Sequence, residues 1–150
     1  MTKHHANALR CRIHPLGSLK QYTFVVVCAR YGEQWLLSRH KCRATWETQG
    51  GHIEPGEIPM DAARRELYEE SGVTEADIYP VCDYVGYTDS ASAGGMVFLA
   101  VVRELGTLPD SEMAETKLFD VLPEKLTYPQ VSPQLYEACR GYLSALNKKV

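Results

Sequence analysis

Apolar runs broken by glycine and proline divide the chain into short elements. Tyr22 to Ala29 (YTFVVVCA) is rich in β-branched and aromatic residues and predicts a buried strand. Tyr31-Gly32-Glu33 predicts a turn, and Gln34 to Ser38 (QWLLS) the returning strand of a hairpin. Arg39 to Thr45 then predicts a loop, with Arg39, His40, Lys41 and Arg43 close together. Gly50-Gly51 and Pro55-Gly56 mark an irregular stretch. A helix is predicted over Pro59–Ser71: Pro59 suits the first turn, Asp61 the positive end of the dipole, and Gly72 the position past the end. Ile58 is a poor N-cap, so Glu57 is expected to satisfy the first N–H groups. Ile78 to Tyr87 and Gly95 to Val102 predict two more strands, and Lys117 to Val121 a short one. In Gln134 to Leu146, apolar residues at Leu135, Ala138, Tyr142 and Leu146 predict an amphipathic helix.

Strands with two interspersed helices argue for one α/β layered domain with a mixed sheet over residues 20–150. Residues 1–19 are polar and mixed, with Pro15 and Gly17 as punctuation. They read as an N-terminal arm with room for a short edge strand. Repeats and low-complexity segments are absent.

Composition narrows the function. Of 150 residues, 45% are hydrophobic and 23% charged, which is ordinary globular usage. The net charge of −3 argues against a protein that grips long nucleic acid through its backbone. A small anionic substrate stays open, because a metal ion can supply positive charge locally. The five cysteines are odd in number, widely spaced and without C-x-x-C, which speaks against a disulfide scaffold or a zinc ribbon. Free thiols predict a reducing, cytoplasmic setting. Met1 is followed by Thr-Lys-His-His with no apolar run, and no 18-residue apolar stretch occurs, so neither a signal peptide nor a membrane span is expected.

The candidate chemistry lies on the predicted helix. At 100° per residue, Glu66, Glu69 and Glu70 fall within an arc of roughly 100°. Met60, Ala63 and Leu67 form the neighbouring apolar arc, which should pack on the sheet. Three carboxylates are thus held together along the edge of a buried seam, where like charges repel and the helix dipole gives no help. Such a cluster calls for a compensating cation. Oxygen ligands without His or Cys favour Mg²⁺ or Mn²⁺ over Zn²⁺. Glutamates alone would equally read as a solvated helix face.

The surrounding residues change that balance. Gly51, Glu57, Arg65, Glu66, Leu67, Glu69, Glu70, Gly72 and Val73 fill every specified position of G-x5-E-x7-R-E-U-x-E-E-x-G-U, where U is aliphatic. This segment resembles the signature of the Nudix hydrolase family. Trp46-Glu47-Thr48-Gln49-Gly50-Gly51 is similar to the W-E-x-P-G-G approach of its MutT-like branch, with Gln49 in place of Pro. The order of elements also matches across roughly residues 20–146.

The resemblance implies an α/β/α sandwich with a loop–helix–loop catalytic box. It implies hydrolysis of a nucleoside diphosphate linked to another group. Carried over by position, Glu66, Glu69 and Glu70 are the catalytic and metal-ligating residues, assisted by the Gly51 carbonyl. Glu66 is the first choice for the general base. Glu57 and Arg65 would form an ion pair that braces the box. A further acidic ligand from a later loop points to Glu112 first and Glu115 second. Arg39, Trp46 and Tyr128 are candidates for substrate contact, with solvated surface and core packing as the plain alternatives for the first two. The leading expectation is a Mg²⁺-dependent (or Mn²⁺-dependent) MutT-like enzyme. It would release pyrophosphate from a nucleoside triphosphate, an oxidised guanine nucleotide among the candidates. Alternatives are cleavage of ADP-ribose, a nucleotide sugar or a dinucleoside polyphosphate, or a nucleotide-binding regulatory module without catalysis. A homodimer stays open.

Overall fold

A computed structural model of the chain describes residues 8–148. Residues 1–7 of the expected arm lie outside the described residues. The central strand is β2 (Phe24–Tyr31), and its neighbours show how the sheet comes to be mixed. On one side it pairs in parallel with β7 (Ser92–Glu104). Its other edge is shared: Phe24–Val27 pair antiparallel with β5 (Gln49–His52), and Ala29–Tyr31 with β3 (Gln34–His40). Beyond β7 lie β6 (Glu75–Tyr87) and then β1 (Arg10–His14), while β4 (Trp46–Glu47) and β8 (Met113–Phe119) both pair with β3. Helices α1 (Pro59–Ser71) and α2 (Ser132–Lys148) lie within the described residues.

Alternation along β2 sends side chains into two separate cores. Val25, Val27 and Ala29 join Phe98, Ala100 and Val102 under Ala62, Ala63 and Leu67 of α1. Val26 and Cys28 join Trp35, Leu37, Val97 and Leu99 under Leu135, Tyr136 and Cys139 of α2. The helices therefore cover opposite faces, and the architecture is the expected α/β/α sandwich. Burial on both faces is why FVVVCA reads as a continuous apolar run instead of an alternating one. On the α2 side, the Trp35 and Tyr136 rings meet edge to face at 4.8 Å.

Three sequence expectations change. The stretch around Gly50-Gly51 is not irregular: it forms β5, because ladder pairing needs only backbone and two glycines leave no hydrophobic signal. Arg39 and His40 belong to β3 and not to a loop. Glu57 does not cap α1. Ile58 takes the N-cap place in extended conformation with no side-chain bond, while a Glu57 carboxylate oxygen accepts the Glu54 N–H at 3.0 Å. The other end of α1 stops where expected. Gly72 adopts φ +81°, its N–H bonds the Tyr68 carbonyl at 2.7 Å, and an added Cβ would lie 2.1 Å from the Thr107 carbonyl oxygen.

The N-terminal segment is stitched to the sheet. β1 pairs with β6 from Arg10↔Tyr87 to His14↔Asp83. Asp83, fully buried, then accepts the Leu19 N–H at 3.0 Å and the Tyr22 hydroxyl at 2.8 Å. Among the described residues no helix is long and apolar enough to cross a membrane.

Asp83→Ala is expected to destabilise the fold by about 1–3 kcal/mol in urea denaturation, the usual cost of orphaning buried partners. Exchange of the Leu19 amide should accelerate more than that of β2; uniform acceleration would show that Asp83 does not pin this segment.

Candidate active site

The apolar stripe of α1 docks on the sheet, and this places Glu66 and Glu70 against β5. The Gly50 N–H donates to Glu70 Oε1 at 2.8 Å. At Gly51 the approach is closer still, since a Cβ there would lie 2.5 Å from Glu66 Oε2. A side chain at this position would displace the Glu66 carboxylate from where it lies.

Both carboxylates are electrostatically uncomfortable. Burial pushes Glu70 up to about 8, against the help of the Gly50 N–H; the charges of Glu66, Glu47 and Glu112 push the same way. Burial also raises Glu66, while its bond to Arg65 pulls it down and Glu69 and Glu112 raise it further. Glu69, on the same helix face, is about half exposed.

Arg65 is the cation that answers this cluster. Its Nε and Nη2 hold Glu57 Oε2 and Oε1 at 2.8 and 2.9 Å in a two-pronged pair. Its Nη1 reaches Glu66 Oε1 at 2.6 Å and Glu69 Oε1 at 3.1 Å, and Nη2 also donates to the His52 carbonyl at 3.0 Å. One side chain thereby ties the loop before α1, the helix itself and the end of β5. Glu57 responds with a carboxyl lowered to about 2, chiefly by its bonds to Arg65.

A cavity of about 440 Å³ opens beside β5. Gly50, Gly51 and His52 form one wall, Phe24, Tyr84, Tyr87 and Tyr128 supply aromatic surface, and Glu47 adds a buried carboxylate. Glu47 Oε1 accepts Arg43 Nη1 at 3.0 Å and the Thr127 hydroxyl at 2.9 Å.

Of the residues expected to meet substrate, Tyr128 lines this cavity; Arg39 and Trp46 do not. Arg39 is occupied elsewhere, with Nε on Glu115 Oε1 and Nη1 on the Arg43 carbonyl, both at 2.9 Å. Trp46 packs edge to face on Phe119 at 5.1 Å, beside the α2-side core. The two later acids also separate. Glu115 is taken by Arg39, whereas Glu112 is exposed, lies 3.7 Å from His40 Nε2, and is felt electrostatically by both Glu66 and Glu70. Glu47 and Gln49 stood within the recognised W-E-x-P-G-G approach without an assigned role. Nothing local in the sequence singled out Ser38 or Asp83.

The donor set fits a hard divalent cation. Glu70 is a half-buried carboxylate with too little positive charge around it, and Glu66 and Glu69 share its helix face. As the side chains stand, no three His, Cys, Asp or Glu residues among the described residues converge on one point, and Arg65 bonds two of the carboxylates.

A model of the NUDIX domain family matches residues 19–138. The chain belongs to the Nudix family. Nudix relatives include the putative 8-oxo-dGTP diphosphatase YtkD of Bacillus subtilis, 33% identical over 105 residues, covering 68% of this chain and 64% of YtkD. The RNA pyrophosphohydrolase of Yersinia enterocolitica is 41% identical over 54 residues, covering 36% of this chain and 30% of that protein. The matches thus span less than two thirds of these relatives' lengths. In three dimensions the chain resembles a mutant of the B. subtilis pyrophosphohydrolase BsRppH, with a TM-score of 0.76 at 24% identity over 89% of this chain and 90% of that one, which shows a shared Nudix fold. Nudix hydrolases generally work with divalent metals.

The Glu57–Arg65 pair gives a pH test. A depressed carboxyl contributes stability above its ordinary value of 4.5 and loses it as pH falls towards about 2. Glu57→Gln should therefore melt below wild type at neutral pH, with the gap narrowing below about pH 4.5. A gap that stays constant down to about pH 3 would show that the pair adds no charge-dependent stability.

Proposed function

We propose that this protein is a Mg²⁺-dependent hydrolase that cleaves a nucleoside triphosphate to monophosphate and pyrophosphate. The observation that carries the reading is the placement of the box carboxylates. Glu66 and Glu70 lie against Gly50 and Gly51, whose other contacts form the wall of the aromatic cavity. A nucleotide whose base occupies that cavity would have its phosphates led towards α1.

In this reading Glu66, Glu69, Glu70 and the Gly51 carbonyl hold the metal, with Glu112 as a further ligand from the loop before β8. A divalent cation held there would lower the pKa of water and would neutralise charge on the phosphate oxygens. Glu66 accepts the proton of the attacking water. Arg65 keeps Glu66 and Glu69 aligned and is itself held by Glu57. Tyr128 and its aromatic neighbours receive the base and exclude water from that side. The five free thiols suit a reducing compartment such as the cytoplasm.

A second reading is removal of pyrophosphate from the 5′ triphosphate end of an RNA. The similarity to RNA pyrophosphohydrolases favours it. The acidic net charge speaks against gripping a long strand, but only the terminal nucleotide need enter the cavity.

Incubation with Mg²⁺ and a panel of normal and 8-oxo nucleoside triphosphates, 5′-triphosphate RNA, ADP-ribose and dinucleoside polyphosphates tests both readings. Monophosphate plus pyrophosphate from a free triphosphate, abolished by Glu69→Gln, is the expected outcome. Preferential release from RNA supports the second reading, and turnover of ADP-ribose or a dinucleotide alone would remove both.

Metal binding should depend on pH. Desolvation pushes the Glu70 carboxyl up to about 8, so below that value metal binding is expected to displace its proton. Calorimetry without nucleotide should show affinity rising with pH, by at most about tenfold per unit, and levelling above about pH 8. Affinity independent of pH between 6 and 8 would show that the Glu70 carboxylate is already ionised over this range in the metal-free protein.

A further inference from the structure

Between β3, β5 and the last turn of α1 lies a set of buried polar groups that the proposed chemistry does not use. Gln49 and Ser38 are both fully buried. Gln49 Nε2 lies 3.1 Å from the Leu36 carbonyl oxygen and 2.9 Å from Ser38 Oγ. A carbonyl oxygen only accepts, so the amide nitrogen must face it, and this fixes which way the amide points. Both Nε2 hydrogens are then engaged. Ser38 accepts one of them, and its own proton goes to the Glu70 carbonyl at 2.7 Å. The bonds run in one direction, from Gln49 through Ser38 to Glu70.

The end of a helix explains what this relay does. The last carbonyls of a helix have no partner within it. Here the Gly72 N–H bonds the Tyr68 carbonyl, and Ser38 bonds that of Glu70. Glu70 is thus tied to β3 by its main chain. Its carboxylate is tied to β5 by the Gly50 N–H, and Gly50 directly follows Gln49. Gln49 therefore stands behind both attachments: its side chain donates to Ser38, and its carbonyl carbon is bonded to the Gly50 nitrogen, whose N–H meets the carboxylate. In the W-E-x-P-G-G pattern that the approach to the box resembles, Gln49 takes the place of Pro. Pro has no side-chain amide and could not begin such a relay.

We propose that Gln49 and Ser38 are positioning residues that hold Glu70 in the pose in which its carboxylate ligates the metal, an inference that rests on the reading of Glu70 as a ligand. Neither residue touches metal or substrate. The relay sets where the last turn of α1 sits relative to β5, and hence where the Glu70 oxygens lie.

The test uses the full chain with Mn²⁺ as probe and no nucleotide, following free Mn²⁺ by electron paramagnetic resonance. Ser38→Ala and Gln49→Leu are compared with wild type and with Glu70→Gln as reference. Both positioning variants are expected to weaken Mn²⁺ binding about tenfold, the lower end of the effect of groups that orient a metal's ligands. In the metal-free protein, the Gly50 amide proton should move upfield in both, because its bond to Glu70 Oε1 lengthens. If Glu70→Gln weakens Mn²⁺ binding while both variants keep wild-type affinity and an unmoved Gly50 resonance, the positioning role is overturned and the metal reading stands. A lowered melting temperature at unchanged affinity overturns it equally. If Glu70→Gln itself leaves Mn²⁺ binding unchanged, the metal reading falls and the positioning role falls with it.

Discussion

Carboxylates are costly to bury, and this protein packs two of them, Glu66 and Glu70, into the seam between a helix and a sheet. Much of the surrounding structure answers that constraint. Glycine at 51 lets the Glu66 carboxylate approach the strand, and the Gly50 N–H supplies Glu70 with a donor. Arg65 brings the positive charge, and Glu57 holds Arg65 in place by a two-pronged bond. What protein groups alone leave uncompensated is the charge of Glu70, and a divalent cation is the natural complement.

The sheet decides where that cluster lies relative to the cavity. β2 is covered on both faces, with the α1-side core beneath Val25 and Val27 and the α2-side core beneath Val26 and Cys28. The cavity is lined by Val26, Tyr84 and Leu135 of the α2-side core, whereas the box helix covers the opposite face. β5 lies between them, pairing with the first half of β2. With glycine at 50 and 51, it presents backbone to both the cavity and the box.

Some of the long-range contacts redirect residues that look functional in one dimension. Arg39, Lys41 and Arg43 stand close together in the sequence, and in the fold each has an acidic partner: Glu115, Asp110 and Glu47 respectively. The Arg43–Glu47 pair has a different consequence from the others. It holds a carboxylate at the cavity wall, where it adds to the repulsion felt by Glu70. Trp46 goes to the protein's own packing through Phe119.

The features legible along the chain are those encoded by local chemistry. Pro59 and Gly72 delimit α1 at the residues expected, since a proline first turn and a left-handed glycine stop act through their own backbone. Helical periodicity alone places Glu66, Glu69 and Glu70 on one face, and the β-branched run marks the strand buried on both sides. Other features depend on partners far away in sequence, so they become visible only in the fold. β5 has glycines and no apolar pattern, and exists because β2 offers an open edge. Asp83 meets Leu19 and Tyr22 across more than sixty residues, and Gln49 reaches Ser38 and, through it, Glu70. A residue's type sets which bonds it can make. Packing of the whole chain sets which of those bonds it does make, because burial removes water as the alternative partner and leaves only the groups that the fold brings within reach.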